Sequence, residues 1–167
     1  MALLFRRMLV RGPSMIPAVA SGQRLFVGRL PYLLAPPARG DVVVVRHPTR
    51  HGFLLVKRIV GVPGDRIELS PDVIVVRGES AARAAERSEP TADHAATLGA
   101  REILVAGDAA AGEDSRSFGP VPMTSIVGRA WWSYWPPDRW GTIPRAVSRP
   151  PRGRTASQRA SVKVGRS

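Results

Sequence analysis

Ser14 stands in Gly12-Pro13-Ser14-Met15-Ile16-Pro17, bracketed by two prolines. Proline fixes its own φ and biases the residue before it away from the helical region, so the hydroxyl is presented from a stiff, extended turn. A nucleophilic hydroxyl needs such presentation, and also a base to take its proton. Serine beside proline is common in ordinary loops, so this segment decides nothing alone. The histidines are poor bases: His47 and His51 flank Pro48-Thr49-Arg50 in an apparent loop, and His94 lies in an Ala-rich polar stretch. Lys57, inside the apolar run Phe53-Leu54-Leu55-Val56-Lys57-Arg58-Ile59-Val60-Gly61, is the better candidate. To act as a base it must be neutral, which means a pKa brought from ~10.4 to about 7–8, a differential on the order of 4 kcal/mol. Leu54, Leu55, Val56 and Ile59 are the apolar neighbours expected to cause that shift. The chain holds 23 Arg and only two Lys. Arginine stays protonated at any working pH, so it could not serve at position 57. The ordinary alternative is a lysine that points to solvent from an alternating strand, with Arg58 on the opposite side.

A third segment, Gly107 to Pro120, is a Gly/Asp-rich loop after an apparent strand, with Asp114 and Arg116 placed to pair with each other. A calcium loop is a rival reading, but Ala109-Ala110-Ala111 leaves too few oxygen ligands. A structural ion pair beside the site fits better. The chain has no Cys. Disulfides, zinc–thiolate sites, iron–sulfur clusters and a thiol nucleophile are therefore excluded.

These residues need a scaffold. The chain has 167 residues, which fits one ordinary domain. Its 44% hydrophobic and 23% charged residues allow a real core and argue against wholesale disorder. Runs rich in Val, Ile and Leu read as strands at roughly 24–30, 41–47, 53–61, 66–69, 73–77, 102–106 and 126–135, separated by turn signals such as Pro63-Gly64-Asp65. The expected fold is mainly β, a partly closed antiparallel sheet or barrel. Residues 78–100 read as a small surface insertion, with a short helix at 80–87 ended by Pro90. The aromatic stretch Trp131-Trp132-Ser133-Tyr134-Trp135 and Trp140 read as a terminal strand on the core or as membrane-interface contact. The net charge is +12, and residues 145–167 carry seven basic and no acidic residues. That Pro-, Ser- and Arg-rich tail reads as disordered, either simply solvated or in contact with anionic membrane or another polyanion. No specific nucleic-acid partner is expected.

Together the motifs resemble the signal peptidase I family. Its nucleophile box is matched by Ser14-Met15-Ile16-Pro17, and its base box by Lys57-Arg58-Ile59-Val60-Gly61-Val62-Pro63-Gly64-Asp65. A Gly-Asp strand box is matched by Gly40-Asp41-Val42-Val43-Val44, and the last box by Gly107-Asp108 with Asp114-Ser115-Arg116-Ser117-Phe118-Gly119. The resemblance covers about residues 10–135 and implies a Ser/Lys dyad endopeptidase. Ser14 would be the nucleophile and Lys57 the general base. The Ser14 backbone N–H would form part of the oxyanion hole. Met15, Pro17, Arg58, Gly64, Asp65, Asp108, Asp114, Ser115 and Arg116 would support the site, with neither metal nor organic cofactor.

Three departures stand out. Gly12 replaces a hydroxyl residue that many members use as a second oxyanion donor. Ala109 replaces the Asn of the last box. Gly112 stands where a Ser often holds the base Lys, with Glu113 or Ser115 as candidates to compensate. Only 13 residues precede Ser14, too few for a membrane span. The expected organisation is a short N-terminal segment at 1–13, a peptidase domain at 14–144 and the basic tail. The expected partner is a precursor protein with an N-terminal leader. The expected location is cytoplasmic or peripheral at a membrane, or membrane-anchored if a segment lies upstream. Maturation of nickel-type superoxide dismutase is slightly favoured over general signal peptidase activity. The alternative from another class is a non-catalytic or weakly active binding module with a polyanion-binding tail.

Overall fold

The structure, a computed structural model, describes residues 5–69, 74–77, 95–109 and 112–145. Its main sheet contains β1 (Phe5–Leu9), β2 (Arg24–Gly28), β3 (Val42–Arg46), β4 (Leu54–Gly61), β8 (Glu102–Ala106), β9 (Val121–Pro122), β10 (Ile126–Trp135) and β11 (Gly141–Thr142). The order is β1-β2-β10-β3-β4-β8-β9, with β11 beside β10, and the pairings are antiparallel. A smaller sheet places β5 (Arg66–Leu69) between β6 (Ile74–Arg77) and β7 (Ala95–Thr97). Among the described residues the one-turn α-helices α1 (Pro31–Leu34) and α2 (Ser115–Phe118) lie in the connections. The expected mainly β antiparallel fold is what the chain forms.

Successive side chains of a strand face opposite sides. In β3 both sides are covered. Val42 and Val44 join Val10, Met15, Val19, Leu25, Val27, Ala130 and Ile143 in one cluster. Val43 and Val45 join Ile59, Ile103, Val105, Val121 and Ile126 in a second. That is why this strand reads as a continuous Val run rather than an alternation. The central position of β3 makes its neighbour β4 a buried strand as well. A third cluster (Ile67, Ile74, Leu98, Leu104) joins the small sheet to β8.

The sheet takes in segments that sequence patterning sets apart. Phe5–Leu9 pairs along its length with β2, so the sheet begins before residue 14. Ala95–Thr97, inside the range read as a surface insertion, pairs with β5, and Leu98 is buried. At the other end, Arg145 Nε donates to the buried Asp41 Oδ1 at 2.6 Å, so the first residue of the expected tail belongs to the fold. The helix expected at 80–87 and residues 146–167, with any polyanion contact, lie outside the described residues. Among the tryptophans, Trp131 packs near Phe5 and Phe26, and Trp132 near Trp131. Trp135 and Trp140 are exposed. Among the described residues no helix is long and apolar enough to cross a membrane.

Candidate active site

Ser14 sits in the turn region after β1. The Ile16 N–H donates to the Pro13 carbonyl at 3.1 Å and the Val19 N–H to the Met15 carbonyl at 2.7 Å. Met15 and Val19 are core residues, so the turn is anchored in the core beside Ser14. The segment's far end is held by Gln23, which no motif in the sequence singles out. Its Oε1 accepts from the Ala20 N–H at 2.5 Å and its Nε2 donates to Ser133 Oγ at 3.1 Å, beneath the surface. The Ser14 carbonyl accepts from the Ala109 N–H at 3.1 Å, which ties the loop after β8 to the turn. No backbone carbonyl accepts the Ser14 N–H among the described residues.

Lys57 projects from the middle of β4, opposite Val43, and is only 2% exposed. Register places it on the face of Leu55 and Ile59. Val56, expected among its apolar neighbours, pairs with Val44 and packs into the opposite cluster. Solvent exposure of the lysine is thus overturned. Arg58 does face the opposite side, but it is buried too. A strand covered on both faces leaves neither residue an exit to water.

The two side chains meet at glycine backbone. A Cβ built on Gly112 would lie 3.3 Å from Ser14 Cβ and 3.6 Å from Lys57 Nζ. One built on Gly107 would lie 2.6 Å from the Ser14 carbonyl oxygen and 3.5 Å from Lys57 Nζ. No hydrogen bond joins Ser14 Oγ to Lys57 Nζ among the described residues. Such contacts commonly tighten only when substrate fills the site.

Burial is the largest influence on Lys57 and pushes its pKa down from 10.5; Asp114 pulls it up, Arg116 pushes it down and Glu113 pulls it up. None of the ion pairs among the described residues includes Lys57. The nearby carboxylates are held by other partners. Burial alone would raise the Asp114 pKa, but Arg116 and the N–H groups of Arg116 and Gly107 outweigh it and hold the carboxyl below its usual range. Arg116 Nε and Nη2 donate to Asp114 Oδ1 and Oδ2 at 2.9 and 2.8 Å, so the expected pair forms. Asp114 also caps α2 through the Arg116 N–H. A buried amine without a fixed counter-ion favours its neutral form, which can accept a proton.

The remaining predicted residues are spread more widely. Arg58 Nε and Nη2 donate to Asp108 at 2.7 and 2.6 Å, and Nη1 donates to the carbonyls of Gly40 and Pro144 at 2.8 and 2.9 Å. Arg58 thus fixes the start of the loop that reaches Ser14. Pro17 follows Ile16 through a cis peptide bond at the end of the Ser14 turn. Gly64 and Asp65 do not line the site. Asp65 closes the β4–β5 turn by accepting from the Val62 N–H at 2.7 Å and from Arg39 at 2.6 Å. Ser115, a candidate to compensate for Gly112, is engaged elsewhere: its buried Oγ accepts from the Val105 N–H at 3.0 Å. Glu113 turns to His47 and Arg50. Among the described residues no group of three or more His, Asp or Glu side chains could hold a metal ion.

Residues 1–135 match the family described as signal peptidase, peptidase S26. The chain is 35% identical to mitochondrial ATP-independent inner membrane protease subunit 1b of Arabidopsis thaliana, over 79% of this chain and 71% of that protein. It is 32% identical to signal peptidase I of Bacillus caldolyticus, over 80% of this chain and 81% of that protein. A crystal structure of a signal peptidase I from Enterococcus faecalis aligns with a TM-score of 0.38 at 26% identity, over 56% of this chain and 95% of that one. A family match over most of the chain, joined by relatives of this identity and coverage, makes the protein a member of the signal peptidase I family, a serine endopeptidase that removes leader segments from precursor proteins.

Proposed function

We propose that Ser14 is the nucleophile and Lys57 the general base of this endopeptidase. Neutral Lys57 Nζ takes the proton of Ser14 Oγ as the oxygen attacks the scissile carbonyl. The Ser14 N–H faces the oxyanion that forms. The Lys57 ammonium then passes its proton to the departing amine of the mature chain, leaving the leader as an ester on Ser14. A water molecule, deprotonated by Lys57, hydrolyses that ester and restores both groups. The reading is carried by one observation: a buried amine that joins no ion pair among the described residues lies, with Ser14 Cβ, beside Gly112.

The substrate is a precursor whose extended leader lies as an added strand beside the site, with small side chains at the first and third positions before the cut. The named relatives give no support to superoxide dismutase maturation over general signal peptidase activity, which is as good a reading. The test is to incubate purified protein with both kinds of precursor and map the new N-termini. Ser14→Ala and Lys57→Arg should each abolish cleavage while circular dichroism stays unchanged. Lys57→Arg keeps the charge and removes the proton acceptor, so substantial turnover by that variant would overturn the dyad.

A further inference from the structure

We propose that His47 is a positioning residue of this active site, acting through Glu113 to hold the Gly112 backbone against Ser14 and Lys57. The proposal rests on the Ser14/Lys57 reading. In this chain no side chain at position 112 reaches the amine, and the geometry must come from backbone placement. Gly112 has φ +102°, a conformation that residues with a side chain rarely adopt. Its C-terminal neighbour Glu113 is gripped at both carboxylate oxygens. His47 Nε2 lies 3.2 Å from Oε2, and Arg50 Nη2 donates to Oε1 at 2.5 Å.

The imidazole is itself fixed. Its Nδ1 accepts from the N–H groups of Thr49 and Arg50 at 3.2 and 3.1 Å. That assigns the ring proton to Nε2, which donates to Glu113. The ring is 5% exposed and lies 5.6 Å from the Phe118 ring of α2. The His47 N–H closes the β3–β4 hairpin on the Phe53 carbonyl at 2.9 Å. Lys57 is in the same hairpin, on β4. The clasp therefore joins the element that carries the base to the loop that packs on it. The charged groups acting on Lys57 all lie on that loop and α2: Asp114, Arg116 and Glu113. Around His47, Glu113 pairs with the ring and Arg50 with Glu113, and Arg46 and His51 line the same cavity.

The experiment measures cleavage of a precursor peptide against pH by wild type, His47→Phe, His47→Gln, Glu113→Ala, Glu113→Gln and the His47→Phe/Glu113→Ala double variant. Displacement of a catalytic group by a fraction of an ångström predicts that His47→Phe and Glu113→Ala each lower kcat about tenfold or more, with KM within about twofold. The double variant should be no worse than the worse single one, because both break one link. His47→Gln, which keeps a donor near the Nε2 position, should recover most of the rate. Glu113→Gln keeps an acceptor but removes a charge that favours the Lys57 ammonium, so the midpoint of the alkaline rise should fall. Wild-type kcat in folded His47→Phe, or multiplicative losses in the double variant, would overturn the proposal. Glu113 is partly exposed, so its variants keep the test open if His47→Phe fails to fold. Ser14→Ala and Lys57→Arg run alongside. Activity in either refutes the dyad reading, whereas their inactivity with a normal His47→Phe refutes only the positioning role.

Discussion

A buried ammonium lowers stability that a neutral side chain of similar length would preserve, so Lys57 should leave a signature in the folding equilibrium as well as in the proposed catalysis. In the unfolded chain its pKa is the ordinary 10.5, and burial lowers it in the folded state. Between the two values the unfolded chain binds a proton that the folded one does not, so stability rises with pH across that window. Below the lowered pKa both states are charged and the burial cost is present in full. Lys57→Met should therefore be more stable than wild type at neutral pH, and the difference in melting temperature should shrink as pH climbs towards 10.5. A difference that stays constant across the alkaline range would mean that the amine is not desolvated. At this scale the sequence is most legible: a Lys in an Arg-rich chain, set in an apolar run, singles out position 57, and the motifs around it make it the candidate base. Val56 is the exception, because nearness in sequence suggests a neighbour of Lys57 where strand parity sends the side chain to the other face. The roles of Gly107 and of the His47–Glu113 clasp depend on which loops meet, which no local pattern encodes.

At the level of elements, strands buried on both faces are easiest to see. β3 and β4 announce themselves as Val- and Leu-rich runs. β1 is hidden because Arg6 and Arg7 interrupt its apolar pattern; both are exposed, as suits a strand at a sheet edge. β7, Ala95-Ala96-Thr97, has little β-propensity of its own and is defined by its pairing with β5. The contact between β2 and β10 is tighter than either sequence suggests. A Cβ on Gly128 would lie 2.9, 2.9 and 3.0 Å from the carbonyl carbon, oxygen and nitrogen of Gly28. Those are backbone atoms of a paired strand, and they cannot rotate away. Gly128→Ala should therefore cost roughly 2–3 kcal/mol, the upper part of the range for overpacking. Urea unfolding measures this directly, and a midpoint equal to wild type would show that the two strands can separate without loss. Because β10 also pairs with β3, cleavage activity should fall with stability in this variant.

Across the whole molecule, the chain's last described residues close the fold, where sequence composition alone suggests a tail. Ile143 is a core residue, and its N–H donates to the Trp131 carbonyl at 3.0 Å. The Pro144 carbonyl accepts from Arg58, whose other donors hold Asp108 and Gly40. Arg145 reaches the fully buried Asp41, which Tyr32 and Arg129 also approach. This cluster lies in the main sheet with β4, so it bears on the strand that carries Lys57. Composition could not separate Arg145 from the basic residues after it, because its role depends on Asp41, a residue 104 positions away. Two truncations should then behave differently. A chain ending at Arg145 loses six basic residues and no acidic one, and should keep its melting temperature and cleave a peptide within a few-fold of the full chain. A chain ending at Thr142 loses the burial of Ile143, worth about 1.5–3 kcal/mol, and also deprives Asp41 and Arg58 of partners at further cost. It should melt well below the longer form and lose activity with it. Equal melting temperatures for the two truncations would show that residues 143–145 do not contribute to the fold, and a fall already present in the chain ending at Arg145 would show that the residues beyond it do.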